Sequence, residues 1–295
     1  MTLRNYLQSR GIKFGENLNA WTAIDQTVYM VTNVQTDLPG LVDTCLLILH
    51  DWSSFIALED EEIDNERGVI LEEERTTGGA NRRVMETLLP KMYPGSPYGE
   101  RLPIGLKEVI ANFSYQDLRD YYHKWYRPDL QGIIVVGDID VDAIEARIKE
   151  MFADIPAPVN PAERTQFMIE DNAEPIVAVA SDAELTSYQL SIYNKHEATP
   201  DSLKNDLNYW MAEYILSLIS QMQINRLQKK KKKPNPPFVY GYSYYGDYYV
   251  SPTKEAWTSM AVANGVNGIN DAMTALVTEN KRMQQYGFTA SEYER

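Results

Sequence analysis

The chain has 295 residues, with 28 Lys or Arg against 42 Asp or Glu, for a formal net charge of −14 at pH 7. Apolar residues make up 44% of it, enough for a sizeable core, which excludes a disordered chain of low hydrophobicity. Charge this negative argues against a general nucleic-acid binder, whose affinity comes from neutralising phosphates. Single cores stop growing near this length, so two domains are expected. Cys45 is the one cysteine, which rules out an intrachain disulfide, and its apolar surroundings (Leu46, Leu47, Ile48, Leu49) predict a buried, inert thiol. No apolar stretch approaches the roughly 18 residues of a membrane span, and residues 1–7 have no signal-peptide character.

In chain order, residues 2–10 read as a short helix capped by Thr2 and stopped by Gly11, with Leu3, Tyr6 and Leu7 on one face. Residues 17–34 supply β-formers, and two successive strands about Asp25-Gln26 fit them. From Pro39 to Ile56 the positions Leu41, Val42, Cys45, Leu46, Leu49 and Trp52 form a helical stripe. An acidic helix at 59–77 turns Ile63, Ile70 and Leu71 inward. A loop over 92–105 leads to a capping box at Ser114 and Asp117, opening a helix that ends near Tyr126. A short apolar strand at 133–137 and a helix from Val141 to Phe152 follow. Pro156, Pro158 and Pro161 then mark the domain boundary.

The second part is read as strands at 175–181 and 187–194, a helix at 201–228 closed by the lysines 229–233, strands at 238–250 and 255–263, and a helix at 268–285. Thr289 and Glu292 form another capping box whose helix would be a single turn, Tyr293-Glu294-Arg295. One isolated turn does not overcome nucleation, so a piece cut from a longer polypeptide is expected. The fold class is α+β: two successive α/β units, each a mostly antiparallel sheet packed with helices.

Chemistry-bearing residues are sparse. The histidines His50, His123 and His196 never fall three to five residues apart, so no local zinc motif of the H-E-x-x-H or H-x-x-E-H kind exists. No G-x-S-x-G, Walker loop or G-x-G-x-x-G occurs, which leaves a hydrolase nucleophile elbow and nucleotide cofactors without support. Glu66 and Glu73 are seven apart, which puts them about 20° apart in azimuth on one helix face. Such a pair can place one carboxylate on a metal and the other in support of it, but helix carboxylates at this spacing are common and the residues by themselves favour a solvated acidic face. The lysines 229–233 read as the basic end of a helix rather than as an anion site. The Tyr240–Tyr249 run fits either a groove lining or a strand with one packed and one wet face.

Four segments, in order, resemble the N-terminal half of the pitrilysin/insulinase-family zinc metallopeptidases. Asn19-Ala20-Trp21-Thr22 is similar to that family's Asn-Ala-x-Thr edge strand. Glu66-Arg67-Gly68-Val69-Ile70-Leu71-Glu72-Glu73 resembles its Glu-Arg helix. Asp117-Leu118 through Tyr126-Arg127-Pro128 to Asp138 resembles its helix–strand junction, and Ile224–Leu227 to Phe238–Tyr240 a comparable passage in the second domain. The resemblance implies Glu73 as a zinc ligand, Glu66 as a supporting carboxylate, and Asn19 and Ala20 as substrate contacts on a strand that binds extended peptides by strand addition. The family's substrate-binding Arg and Tyr belong to the other half, and Arg226 and Tyr240 are spaced too widely to inherit that role.

The family's H-x-x-E-H segment, with two zinc ligands and the general base, has no match in this chain. The resemblance therefore implies a fragment of a zinc metalloendopeptidase acting on peptides or unfolded chains. Residues 1–160 would be a truncated peptidase domain lacking its first strand and zinc-motif helix. Residues 161–295 would be a second domain of homologous type, cut short at its C-terminus. Zinc is expected in the full-length parent and not on this chain, which alone would be inactive. A natural non-catalytic peptide-binding subunit is the alternative, as half of a processing-peptidase-like assembly, and a purely structural module is a third reading. Implied partners are a peptide substrate and a C-terminal half or partner subunit, with no nucleic acid. A homodimer of the fragment through an exposed sheet edge is a further expectation. The compartment implied is the periplasm or cell envelope.

Overall fold

The computed structural model describes residues 3–294, so the cap expected at Thr2 and the terminal Arg295 lie outside the described residues. The chain forms two compact units: residues 1–77 with 102–165, and residues 78–101 with 166–295. Where the sequence suggests a single cut at 160, the units are discontinuous, because residues 78–101 pack with the second unit.

In the first unit, α1 (Leu3–Ser9) ends where Gly11 takes a left-handed φ of 85°. Strands β1 (Leu18–Thr22) and β2 (Thr27–Val31) then pair as an antiparallel hairpin with Thr22 opposite Thr27. Helix α2 (Leu41–Ser54) closes over them. Leu7, Ile12, Leu18, Leu41, Cys45 and Ile48 form the core, with Tyr6, Val31 and Trp52 at its margin. The Cys45 thiol is buried, and burial pushes its pKa up to about 11, consistent with an inert group.

Helix α3 (Asp60–Thr77) buries Ile63 and half-buries Ile70 and Leu71, the inner face expected from the pattern. It packs on the short α5 (Lys107–Asn112), which precedes α6 (Tyr115–Trp125). Both bonds of the Ser114–Asp117 capping box are formed. Tyr122 of α6 donates to the Trp52 carbonyl at 2.8 Å, and its oxygen accepts the Ile56 N–H at 3.3 Å, fixing α6 to the end of α2. Helix α7 (Val141–Met151), capped by Asp140, packs on α2.

The second unit begins with α4 (Ala80–Met92), a helix the sequence reading passes over. Its last turn leads to Tyr93, which is buried; the Tyr93 hydroxyl donates to the Tyr248 carbonyl at 2.6 Å and accepts the Val250 N–H at 3.1 Å. These bonds explain why residues 78–101 pack with this unit. A three-stranded antiparallel sheet, in the order β3 (Tyr188–Glu197), β5 (Ser251–Ala263), β4 (Tyr240–Tyr248), carries α8 (Leu207–Lys231) and α9 (Ile269–Tyr286). Leu227, Phe238, Ala261, Ala263, Ala272, Ala275 and Leu276 fill the space between. Gly241 and Ser243 of β4 point inward, while Tyr240, Tyr242 and Tyr244 form a tilted to stacked ladder on the other face, the one-wet-face pattern.

The sequence also suggests strands at 133–137 and 175–181, and neither is one. Among the described residues, 132–137 make no main-chain hydrogen bonds, and Ile134 and Val136 are 87% and 91% exposed. A β-former becomes a strand only by pairing, and among the described residues neither run pairs with another strand. Helix α8 starts at Leu207 rather than at 201, because Asp206 caps it by accepting the Asn208 N–H at 2.6 Å. The final turn, α10 (Ala290–Tyr293), is held by tertiary contacts: Glu292 closes the Thr289 capping box and also takes a bidentate bond from buried Arg226 at 2.7 Å. The architecture is thus α+β, helices with small antiparallel sheets.

Candidate functional site

Asn19 and Ala20 lie exposed on β1, the free edge of its hairpin. The ladder's phase decides what that edge offers. The Thr32 N–H donates to the Asn17 carbonyl at 2.7 Å and the Ala23 N–H to the Gln26 carbonyl at 2.8 Å. Bonded and unbonded pairs alternate in an antiparallel ladder, so the pairs Asn19–Met30 and Trp21–Val28 exchange main-chain bonds. Leu18, Ala20 and Thr22 therefore direct N–H and C=O away from β2. Leu18 is already occupied: its carbonyl accepts the Gly15 N–H at 2.9 Å and its N–H donates to Lys13 at 3.1 Å. At Ala20 the outward N–H is covered by the Asn19 side chain, whose Oδ1 accepts it at 2.8 Å. The Asn19 Nδ2 in turn donates to the Gly15 carbonyl at 3.3 Å, which holds the amide in place.

Glu66 and Glu73 both sit exposed on α3. Among the described residues neither carboxylate forms a hydrogen bond or ion pair, whereas neighbouring Glu72 is held by Arg75 at 2.6 and 2.8 Å. That pairing holds the Glu72 carboxyl below its usual range. The Glu73 carbonyl accepts the Thr76 and Thr77 hydroxyls at 3.1 and 2.8 Å, tightening the helix end.

Arg67, between the two, is what the sequence reading leaves without a role. Its guanidinium donates to the Ile110 carbonyl and, at 3.1 Å, to the Phe113 carbonyl, and stacks over the Phe113 ring at 4.0 Å. It satisfies the carbonyls at the end of α5 and so sets the rotation of α3 that leaves Glu66 and Glu73 open to solvent. Its Nε also meets Asp64 at 3.4 Å, a local pairing, but the two carbonyls it satisfies lie more than forty residues away.

A catalytic zinc takes three protein ligands. No group of three His, Cys, Asp or Glu that could hold a metal occurs among the described residues, so the donor set here does not fit zinc unaided. The histidines are engaged elsewhere. His50 is buried between Asp51 and Asp154, at 2.9 Å from each, and stacks on Phe55. His123 is exposed on α6, and His196 stacks on Tyr245. Arg226 is spent on structure: beyond Glu292 it donates to the Gly287 carbonyl at 2.7 Å and lies over the Phe288 ring. Among the described residues no helix is long and apolar enough to cross a membrane.

Known proteins are similar to the chain over nearly all of its length. The family model described as insulinase (peptidase family M16) matches residues 3–102, and the one described as peptidase M16 inactive domain matches residues 112–295. The probable zinc protease PqqL of Escherichia coli strain K12 is 29% identical over 285 residues, covering 97% of this chain and 30% of that protein. A zinc protease PQQL-like protein of Arabidopsis thaliana is 30% identical over 234 residues, covering 79% of this chain and 24% of its own length. The crystal structure of the first half of the periplasmic protease PqqL from Escherichia coli superposes with a TM-score of 0.77 at 27% identity, over 98% of this chain and 60% of that one. The chain thus spans less than a third of the length of these two curated relatives.

Proposed function

The chain belongs to the M16 peptidase family, and on that premise we propose that it is part of a zinc metalloendopeptidase, the part that offers β1 to an extended peptide. The observation that carries this reading is Ala20, whose main-chain N–H and C=O both face away from β2 on an exposed edge. A peptide laid along β1 takes those two groups as the start of a new ladder and displaces the Asn19 amide from the Ala20 N–H. Such contacts read backbone, which suits cleavage of peptides or unfolded chains with loose sequence preference.

In this reading Glu73 is one zinc ligand and Glu66 a supporting carboxylate. Their freedom from ion pairs is consistent with that role. The remaining ligands and the general base would come from an H-x-x-E-H segment that residues 1–295 do not contain, so this stretch alone is inactive. The peptidase domain of this reading, 1–160, gives up residues 78–101 to the compact unit built mainly by the second domain of homologous type, 161–295. The working enzyme pairs them with a C-terminal half or partner subunit, in the periplasm, the compartment of the similar Escherichia coli protease. The match of residues 112–295 to a model described as an inactive domain favours a second reading, a non-catalytic peptide-binding subunit that uses the same edge.

The test is Ala20→Pro. Proline removes the outward N–H, and the β1–β2 bonds, made by Asn19 and Trp21, survive. Calorimetry with an unstructured peptide is expected to show affinity lowered at least tenfold, about 1.4 kcal/mol, with an unchanged circular dichroism spectrum. Unaltered affinity would remove β1 as the peptide site. Zinc stoichiometry of the chain extended upstream in its natural frame separates the two readings: zinc that is lost in Glu73→Gln supports the protease, and no zinc supports the binding subunit.

A further inference from the structure

The solvent side of the first half of α8 is apolar. Its inner face, Tyr209, Leu216, Ser220, Gln223 and Leu227, turns toward β4, where the Ser220 hydroxyl accepts the Tyr245 N–H at 3.2 Å. Its outer face carries Leu207, Trp210, Met211, Tyr214 and Ile215 at spacings of 3, 1, 3 and 1, and each of these is between 52% and 74% exposed. A contiguous exposed apolar patch of this kind marks a binding surface. Beyond Ile215 the same face carries the half-buried Leu218 and Met222 beside Gln221 and Asn225, so the fully exposed apolar stretch covers about two turns.

Its charge surroundings are one-sided. Between Lys204 and Arg226 the sequence has Asp206 and Glu213 and no Lys or Arg. Lys204 is itself paired with Asp201 at 2.8 Å. Glu213 borders the stripe next to Trp210; burial, then the charges of Glu255 and Asp247, raise its carboxyl pKa. Against these three carboxylates stands Lys204, whose charge also answers Asp201, so the flank keeps a net negative charge. A second copy of this chain would bring the same acidic flank and a further −14 against it.

We propose that the outer face of α8, residues 207–215, docks an amphipathic helix of another polypeptide whose apolar stripe is bordered by Lys or Arg. The i, i+3, i+4, i+7, i+8 spacing is the seam along which two helices interdigitate, and the basic border answers Asp206 and Glu213. The surface is on the second unit and is independent of β1, so its fate is separate from that of the peptidase reading.

The experiment is calorimetric titration of the full chain with two synthetic helices of ~18 residues sharing one leucine stripe, one bordered by lysine and one by glutamate. The lysine peptide is expected to bind and the glutamate peptide not to. Met211→Ser and Trp210→Ser are each expected to weaken binding at least tenfold with the far-ultraviolet spectrum intact, about 1.4 kcal/mol. These variants keep every carboxylate, so undiminished binding to them would mean diffuse attraction to an acidic protein and would overturn the proposal. Equal binding of both peptides, or of neither, would overturn it too. A dimeric wild-type chain that Met211→Glu renders monomeric would show that a second copy is the occupant, and the proposal would fall.

Discussion

Replacing His50 by Gln separates a charge effect from a packing effect within the first unit. The ring sits on α2, buried, stacked on Phe55 with centroids 4.8 Å apart and edge-on to Phe152 at 5.3 Å. Nδ1 lies 2.9 Å from an Asp51 oxygen and Nε2 2.9 Å from an Asp154 oxygen, the latter just beyond α7. A neutral imidazole has one N–H, so both bonds to carboxylates are made only by the imidazolium. Burial by itself lowers the pKa, but the hydrogen bonds to Asp154 and Asp51, with their charges, outweigh it and raise it above the ordinary value.

The sign follows from linkage. A histidine whose folded pKa is raised stabilises fully below its unfolded value of about 6.5 and loses that stabilisation as pH climbs through the raised folded value. Two charge-assisted bonds would contribute about 1.5–3 kcal/mol each, but Asp51 and Asp154 are 58% and 65% exposed, so solvent screens them to about 1–2 kcal/mol together. Urea unfolding of wild type and His50→Gln, followed by a probe in the first unit, is expected to differ by that amount near pH 5.5 and to converge as pH rises past the raised folded value. With three histidines in the chain, the His50 ring is resolvable by NMR, and its titration is expected above the ordinary histidine value. A stability gap that is constant with pH, or that widens as pH rises, would refute the imidazolium clasp.

Three further outcomes are expected. Glu292→Ala leaves the buried Arg226 guanidinium without its bidentate partner and should cost about 3–5 kcal/mol in the second unit, measured by thermal or urea unfolding. Arg67→Met strips the Ile110 and Phe113 carbonyls of their donor and should cost about 2–3 kcal/mol, with faster hydrogen exchange at the end of α5. Gly99→Ala places a methyl 3.0 Å from the Pro90 Cα and 3.1 Å from the Tyr93 carbonyl oxygen, both backbone atoms, so a loss of about 1–3 kcal/mol is expected where a flexible neighbour would have cost nothing.

The helices and the β1–β2 hairpin were legible because their signals are local. The acidic helix at 59–77 rests on a 3.6-residue period, the start of α6 on the Ser114–Asp117 box, and the stop after α1 on Gly11. Membership of the family was legible for the same reason, since its motifs are contiguous runs such as Glu66–Glu73. Local pattern also marked 133–137 and 175–181 as strands, wrongly, because a strand exists only through a neighbour that no local pattern names. The same limit hid α4 from a reading that placed the boundary at the prolines. Its assignment to the second unit depends on Tyr93 meeting Tyr248, 155 residues on.

Tertiary structure decided what the motif residues do. The resemblance pointed to Asn19 and Ala20, but only the phase of the ladder shows that Ala20, and not Asn19, turns its N–H and C=O outward. It read Glu66 and Glu73 as the chemistry of α3 and had nothing to say of Arg67, whose carbonyl partners come from the end of α5. The stranded cap at Thr289 looked like an unfinished helix until Arg226 was found holding it, 66 residues back. His50 and Asp154 are likewise 104 residues apart. Hydrogen bonds and charge pairs act over a few ångströms of space without regard to sequence separation, so the groups they join are set by packing, while periodicity and capping act within a turn or two and are written in the chain itself.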